Sequence, residues 1–530
     1  MSRTSNKEDI TLIWFDSNVE SNNHEIQTKK QLHQINDYVV FHGELKPCIN
    51  FIQSIYNEKV FLVASTTDLS KILHRITSLS QIECIFIFNS EKIDHQHIVF
   101  EHPKLIGIYN KLDLLCLSIQ EQVDSLEQHS KTFSFFDHDE YVTKNLSKQT
   151  ADLLWFQFYR DVLFQLPYDE EAKREMIDAC RFYYMDNAKE LEMISKFENE
   201  YRSEEALRWY LKKSFLYRII SKALRIKDFD ELYTFRYFMK DLSESLVREH
   251  QKLARSGKEI LITYQGIKLT NDQIEKFKEN EGKLVTVNGF LTTNILRSAA
   301  VNQAMKPSKQ TNLTAVLLAI QCDLRQLNNC AIVADITQFN ETSYEEQKEV
   351  LFDANITFRL DSVKKEEEIW LIEMSASNEG QLIKEKYIKD SHRQIQDLSI
   401  KILFGRLMCD MGQWNQSQHF FQHLLYDSNS NSEDLAKLER SLGEVLQWKG
   451  EWTRARKYYE WAYDRMTNSK PTRIKDSADI LFNIGEITYL EGNYEEAQDY
   501  CERALAIHKE YYSSVNFDKS YSPNHQSSSL

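Results

Sequence analysis

Glycine, proline and paired cysteines are scarce in this sequence. Only 13 Gly and 6 Pro occur among 530 residues, and because these residues mark turns and interrupt helices, their scarcity favours a helix-rich chain. The eight cysteines are dispersed and include no CxxC pair, which argues against a zinc site and against a dense disulfide framework. We therefore expect no metal site, and we expect most cysteines to be small buried side chains.

Basic clusters and long apolar runs are also missing. The net charge is -15 and no stripe of Lys and Arg is present, so a nucleic-acid partner is not expected. No run of about 18 apolar residues could span a bilayer, and the N-terminal MSRTSNKEDI lacks the apolar core of a secretory signal. These absences predict a cytoplasmic protein without a membrane partner. At about 150 residues per domain, the length predicts three or four domains.

The first 134 residues alternate between short apolar runs and amphipathic stretches. This alternation predicts buried parallel strands joined by crossover helices, as in a small flavodoxin-like or receiver-like α/β domain. Asp16 has no acidic neighbour after the first strand, and no Gly-rich loop follows any strand, so we expect an accessory domain rather than phosphotransfer or nucleotide binding. The predicted strands are residues 11–15, 38–42, 60–65, 82–88 and 104–109.

A change of periodicity marks the centre of the chain. Residues 135–149 are polar and predict a linker. Residues 150–378 begin with helical periodicity, and their aromatic stripes indicate core packing. Strand patterns return between 260 and 375. We therefore predict a helical lobe followed by a mostly antiparallel β lobe.

Residues 392–512 contain a threefold repeat. Three similar segments align on Gly412, Gly450 and Gly492, spaced by 38 and 42 residues, and each continues with a small residue where two helices would approach closely. The pattern resembles the longer variety of the tetratricopeptide repeat, which implies an α-solenoid. The tail, residues 513–530, is predicted to be disordered.

Such a solenoid implies a peptide or protein partner in a concave groove. Aromatic residues abundant in the repeats either line that groove or pack between helices. They are Trp414, Trp448, Trp452, Trp461, Tyr458 and Tyr459.

Three short elements of the predicted β lobe could carry chemistry. The first is Tyr264-Gln265-Gly266, where glycine lets the backbone approach a ligand. The second, residues 289–294, is an apolar strand end that runs into hydroxyl side chains. The third, residues 344–352, places Gln347 and Glu349 on the same face of a strand. A carboxylate beside an amide at the rim of a sheet suits orientation of a sugar and stabilisation of positive charge on it.

Taken in order, residues 207–375 resemble the arginine-specific mono-ADP-ribosyltransferases, whose hallmark is Arg, then Ser, then Glu-x-Glu on successive strands. LRWYLKKSFLYRIISKALR looks like the helical lobe of that family, GFLTTN matches its FLSTS, and EVLF follows the acidic loop. The flanking regions also resemble the longest multidomain members. The resemblance implies transfer of ADP-ribose from NAD, or NADP, to a protein side chain with release of nicotinamide.

The resemblance also implies a role for each candidate residue. Glu349 would bind the ribose 2′-hydroxyl and stabilise an oxocarbenium-like state, and Gln347 or Glu346 would orient the acceptor. The implied catalytic residues are Glu349 and Gln347, the implied cofactor-binding residues are Tyr264, Gln265, Gly266, Phe290, Thr292 and Thr293, and the implied acceptor-binding residues are Tyr344 and Glu346.

This chain departs from the family pattern at three positions. Gln265 replaces the arginine expected to hold an NAD phosphate, Thr292 replaces the serine, and Gln347 replaces the first glutamate. The order from Tyr344 to Glu349, aromatic-x-x-Gln-x-Glu, is similar to the loop of bacterial transferases that modify asparagine on small GTPases. The acceptor is therefore arginine by the main resemblance and asparagine by this loop.

Two other functions fit the sequence. A degenerate member of the family could keep the fold as a binding module while the repeats do the work, and Gln265 favours that alternative. A repeat scaffold with an unrelated central domain is the third. NAD affinity and nicotinamide release distinguish the three hypotheses.

Overall fold

The computed structural model describes most of the chain. The described residues are 6–16, 22–65, 76, 79–88, 102, 104–129, 133–136, 146–257, 259–307, 313–325, 327, 331–339, 348–394, 398–426, 432–468 and 474–520. They form two compact units. The first comprises Met1–Tyr141 and Leu163–Lys384, and the second comprises Val142–Val162 and Glu385–Leu530. No helix in these ranges is long and apolar enough to cross a membrane.

The first unit begins with a parallel sheet. All five predicted strands form, and their order is β2-β1-β3-β4-β5, as in flavodoxin-like folds. The interior strand β1 is buried along its whole length because apolar side chains cover both faces of the sheet. The strands are Ile10–Phe15 (β1), Val39–His42 (β2), Lys59–Ser65 (β3), Ile82–Phe88 (β4) and Leu105–Tyr109 (β5). The helices that the structure describes in this domain are Asn22–His33 (α1), Leu45–Gln53 (α2) and Leu112–His129 (α3).

A group of helices follows in the same unit. Side chains cap several of these helices at their N-termini. The carboxylate of Asp169 accepts a hydrogen bond from the Ala172 amide, and the side chains of Asn187 and Asp228 each accept one from a backbone amide in the first turn of the helix that follows. Lys148–Leu163 (α4) precedes the group. The helices of the group are Glu170–Tyr183 (α5), Ala188–Glu200 (α6), Ala206–Leu211 (α7), Phe215–Ile226 (α8), Phe229–Thr234 (α9) and Arg236–Arg255 (α10).

The second sheet of this unit has nine strands among the described residues, in the order β11-β12-β9-β7-β10-β14-β13-β8-β6. All neighbouring strands pair antiparallel except β10 and β14, which pair parallel. The sheet is therefore mostly antiparallel, as predicted. The strands are Phe133–Phe136 (β6), Ile260–Thr270 (β7), Leu284–Val287 (β8), Leu291–Asn294 (β9), Leu313–Asp323 (β10), Val333–Asp335 (β11), Glu349–Phe352 (β12), Thr357–Glu366 (β13) and Ile369–Ser377 (β14). In the described part of these connections, two helices occur: Asn271–Glu279 (α11) and Arg297–Met305 (α12).

The structure differs from the predicted linker at its start. Phe135 and Phe136 belong to strand β6, and the rings of Phe133 and Phe135 both pack edge-on against Phe277, with centroids 5.1 and 5.0 Å away. The polar residues that follow suggested a linker, but these aromatic side chains bury surface against α11.

The second unit consists of helices. Helix α4, predicted to begin the transferase domain, clusters here because Trp155 lies 5.9 Å from Phe404 and Phe158 lies 5.8 Å from Tyr387, measured between ring centroids. The remaining described helices are Glu379–Gln394 (α13), whose residues up to Lys384 belong to the first unit, Ile400–Asp410 (α14), Trp414–Tyr426 (α15), Ser432–Trp448 (α16), Trp452–Asn468 (α17), Ile474–Leu490 (α18) and Tyr494–Ser520 (α19).

The helices from α14 onward form the three predicted pairs. Gly412, Gly450 and Gly492 connect them with φ of +76°, +76° and +88°, a conformation that favours glycine. Within the second pair, a Cβ on Gly443 would lie 2.8 Å from the ring of Tyr459, so glycine permits this close approach. The last helix continues to Ser520, past residue 512 where the sequence predicted a disordered tail, since a formed helix extends at one hydrogen bond per added residue.

Candidate active site

Strand pairing brings Thr292 and Glu349 to one face of the second sheet. Glu349 lies opposite Asn294, and Leu351 lies opposite Thr292, in the antiparallel pair β9–β12. Asn294 is also opposite Tyr264 on β7. Residues that face each other across strands project from the same side of a sheet, as do alternate residues of one strand. Tyr264, Thr292, Asn294 and Glu349 therefore share a face.

Backbone contacts fix the position of Glu349 at the start of its strand. The Ile295 amide donates to the Lys348 carbonyl (2.9 Å), and the Ile336 amide donates to the Glu349 carbonyl (3.0 Å). The side chain of Glu349 is half-buried. A carboxylate at this position is held by strands on both sides, which suits a group that must stay aligned with a reacting sugar.

Gln265 and Thr293 lie on the opposite face. The Thr293 hydroxyl donates to the Val350 carbonyl (3.3 Å), and Gln265 faces Leu318 across β7–β10 in a sheet core of apolar side chains. The side chain of Gln265 is 7% exposed, and its Oε1 has no hydrogen-bond partner among the described residues. The structure does not bring Gln265 together with Glu349.

Gly266 shares the face of Glu349, and its lack of a side chain serves helix packing. A Cβ at this position would lie 1.9 Å from the Ala300 carbonyl oxygen and 2.7 Å from the Ala304 nitrogen, both in α12. The sequence predicted that the backbone at Gly266 approaches a ligand, but in the structure it approaches helix α12.

Phe290 and Thr292 line a cavity of about 110 Å³. Gly289 precedes them with a φ of +129°, so any other residue would be strained there. The ring of Phe290 packs edge-on against Tyr210 of α7, with centroids 5.2 Å apart. Other walls come from α8 and from the N-terminal α/β domain, whose contributions include Glu8 and Asp9.

Two arginines of α8, Arg218 and Arg225, also line this cavity. Arg218 forms ion pairs with Glu8 (2.9 Å) and Glu190 (2.8 Å), and Arg225 forms one with Asp9. Burial alone would lower the pKa of Arg218, but the neighbouring carboxylates and Tyr184 raise it well above its usual value. Arg218 therefore remains a cation beside the cavity.

These arginines were not predicted from the sequence. Arg218, Lys222 and Arg225 are spaced i, i+4 and i+7 along a largely apolar helix, and this spacing was the available signal. Their carboxylate partners are far away in the sequence and could not be foreseen. Tyr344, Glu346 and Gln347 lie outside the described residues.

The aromatic residues of the repeats divide between surface and core. Tyr459 is fully buried and donates from its hydroxyl to Gln447 (2.8 Å), whereas Trp448 is 72% exposed. Trp414, Trp452 and Trp461 are exposed as well. Surface tryptophans suit a protein-binding face.

Comparison with known proteins gives three results. The tetratricopeptide repeat model matches residues 477–525, and no curated protein matches the sequence. The chain is similar to solved ADP-ribosyltransferases: the Vis toxin of Vibrio splendidus (17% identity, 40% of this chain, 88% of that chain, TM-score 0.21), the C3 exoenzyme of Clostridium limosum (14%, 38%, 94%, 0.24) and the C3larvin toxin of Paenibacillus larvae (18%, 34%, 92%, 0.23).

Proposed function

We propose that this chain transfers ADP-ribose from NAD to a protein side chain. The observation that carries the proposal is the placement of Glu349 and Thr292 on one face of adjacent strands, in the order that the sequence resemblance requires. Thr292 also lines a cavity that contains two arginines. A carboxylate, a hydroxyl and nearby cations are the groups needed to bind a ribose and a diphosphate.

In this proposal Glu349 stabilises positive charge on the ribose as its bond to nicotinamide breaks. Nicotinamide leaves with the electron pair of that bond. The acceptor nitrogen then forms a bond to the same carbon and loses a proton. Thr292 positions the ribose beside the carboxylate, and Arg218 and Arg225 supply positive charge for the diphosphate.

The residues fit NAD in charge but the present cavity does not fit it in size. Ligand pockets generally enclose roughly 300–1,000 Å³, whereas this cavity encloses about 110 Å³. A dinucleotide needs more room than this cavity encloses. NAD is the proposed donor, because the described lining of the cavity holds no cation besides Arg218 and Arg225 for the additional phosphate of NADP.

Arginine is the proposed acceptor by the main resemblance, and asparagine is the alternative favoured by the loop that ends in Gln347-Lys348-Glu349. We further propose that the repeats bind the acceptor protein or another peptide. The exposed side chains of Trp448 and Trp461 support this role.

The test is NAD cleavage and protein labelling by the full-length chain. Glu349→Gln keeps the size of the side chain and removes its charge, so we expect at least a thousandfold loss of nicotinamide release, about 4 kcal/mol. The matched control is Glu275→Gln, which removes an exposed carboxylate paired with Lys278 on α11 and should leave turnover unchanged. Turnover by Glu349→Gln within tenfold of the parent would refute the assignment.

A further inference from the structure

One helix of the transferase region is held by the N-terminal domain through charge. Three cations of α8 lie on one side of that helix, and each pairs with a carboxylate from the α/β domain. The pairs are Arg218–Glu8 (2.9 Å between Nε and Oε1), Lys222–Glu58 (2.7 Å between Nζ and Oε1) and Arg225–Asp9.

These carboxylates stand at the cavity. Glu8 and Asp9 immediately precede strand β1. Together with Ile10 they form one wall of the cavity. Phe290 and Thr292 form another. The N-terminal domain therefore occupies space beside the residues proposed to bind NAD.

Glu8 is the most enclosed of these acids, with 4% of its side chain exposed. Its Oε1 accepts hydrogen bonds from Arg218 (2.9 Å) and from the Tyr184 hydroxyl (2.8 Å). A buried carboxylate is tolerated only when cations and donors satisfy it. Carboxylate and phosphate oxygens satisfy a guanidinium in the same way, so an anionic ligand could replace Glu8 on Arg218.

Several further contacts between this domain and the helices are polar. Lys7 pairs with Glu231 (2.7 Å), Lys222 donates to the Asn6 carbonyl (2.7 Å), and Asn187 donates to the His33 carbonyl (2.9 Å). Polar interfaces within a chain resemble those of transient complexes and can separate. Water and ions can take over such contacts when the surfaces part.

We propose that the N-terminal α/β domain competes, within the same chain, with the diphosphate of NAD. Glu8 and Asp9 neutralise Arg218 and Arg225 in the closed state, and a dinucleotide binds these arginines after the domain has moved away. This inference rests on the proposed function for the identity of the ligand. The apparent dissociation constant then equals the intrinsic constant divided by the open fraction of the protein.

The experiment compares the full-length parent with the double variant Glu8→Gln and Asp9→Asn. Both changes keep the side-chain size and remove the competing charges. Calorimetry measures the binding of inorganic pyrophosphate and of NAD, and nicotinamide release is measured in parallel. We expect at least tenfold tighter binding of both ligands by the variant. The matched control is Glu83→Gln, which removes a carboxylate of the same domain paired with Lys59 (3.2 Å) and should behave as the parent.

The outcomes separate the inference from the proposed function. Equal pyrophosphate affinity in parent and double variant overturns the competition, even if both cleave NAD. Tighter pyrophosphate binding with no NAD cleavage by either protein supports the competition and refutes the transferase. If the double variant does not fold, Asp9→Asn alone serves, because its pair with Arg225 is partly exposed, and it should tighten pyrophosphate binding in the same direction.

Discussion

Asn294 lies directly opposite Glu349 across β9–β12, and its Oδ1 accepts a hydrogen bond of 2.7 Å from the Leu296 amide. One amide side chain thus faces the proposed catalytic carboxylate and holds the turn that leads into α12. The turn and the site are linked because the helix that follows also packs on Gly266.

Replacing Asn294 should weaken both the turn and the site. Asn294→Ala removes the acceptor for the Leu296 amide, so we expect a loss of about 1 kcal/mol in the free energy of unfolding, measured by urea denaturation. Nicotinamide release should fall as well. Asn294→Ser is the control because a hydroxyl can accept from the same amide, and it should recover most of the stability. An Ala variant as stable as the parent would show that the hydrogen bond contributes nothing.

Gln265 provides a test of which face of the sheet binds NAD. Gln265→Arg would place a charge in the apolar core on the side away from Glu349, so we expect a destabilisation of several kcal/mol and no gain in NAD affinity. Gln265→Leu removes a buried oxygen that lacks a partner in the described structure, and its free energy of unfolding should match or exceed that of the parent.

Denaturation measures the free energy of unfolding of both Gln265 variants, and NAD titration measures their affinity for NAD. A stable Arg variant that binds NAD more tightly would restore Gln265 to the phosphate position implied by the sequence resemblance. It would also mean that the side chains of β7 do not alternate regularly between the two faces of the sheet at this residue.

Gly266 should not tolerate a methyl group. Gly266→Ala would push the Cβ into the backbone of α12, and such overpacking generally costs about 1–3 kcal/mol. Thermal unfolding measures the loss. Gly43→Ala is the control, because the nearest atom to its added Cβ would be the Asp16 carbonyl at 3.8 Å, an ordinary contact. Equal melting temperatures for the two variants would show that α12 shifts without cost.

Much of the fold could be predicted from local patterns. The short apolar runs of the N-terminal domain coincide with β1–β5 because strands buried on both faces leave continuous hydrophobic segments. The repeat was visible because glycine returns at each turn between helices. The strand at Phe135 and the packing of α4 were not predicted, because their contact partners, Phe277 and Phe404, are distant in the sequence.

The candidate site was predicted in part. Glu349 and Thr292 follow from the order of the motifs, and strand pairing brings them to one face. The position of Gln265 was also readable, since it alternates in phase with the buried Leu261 and Ile267, but the family resemblance drew attention away from that pattern. The ion pairs of Arg218 and Arg225 depend on how the N-terminal domain packs, which no local pattern encodes.

The last prediction concerns the acceptor and depends on Gln347, two residues before Glu349. A guanidinium is protonated and must lose a proton to attack the ribose, so a carboxylate at position 347 would both pair with it and accept that proton. Glutamine can only donate or accept hydrogen bonds. The parent should therefore modify free arginine analogues poorly.

Gln347→Glu should raise the incorporation of labelled ADP-ribose into agmatine by at least tenfold, part of the roughly hundredfold to ten-thousandfold that a positioned general base contributes. NAD hydrolysis measured in parallel should change little, because Glu349 and Thr292 are untouched. Glu346→Gln, made in both the parent and the Glu variant, tests whether the adjacent carboxylate already supplies the charge. If the parent modifies agmatine efficiently and neither change at 346 or 347 alters the rate, Gln347 does not orient the acceptor. The similarity to asparagine-modifying loops then has no bearing on specificity, and arginine is the acceptor through a base elsewhere in the site.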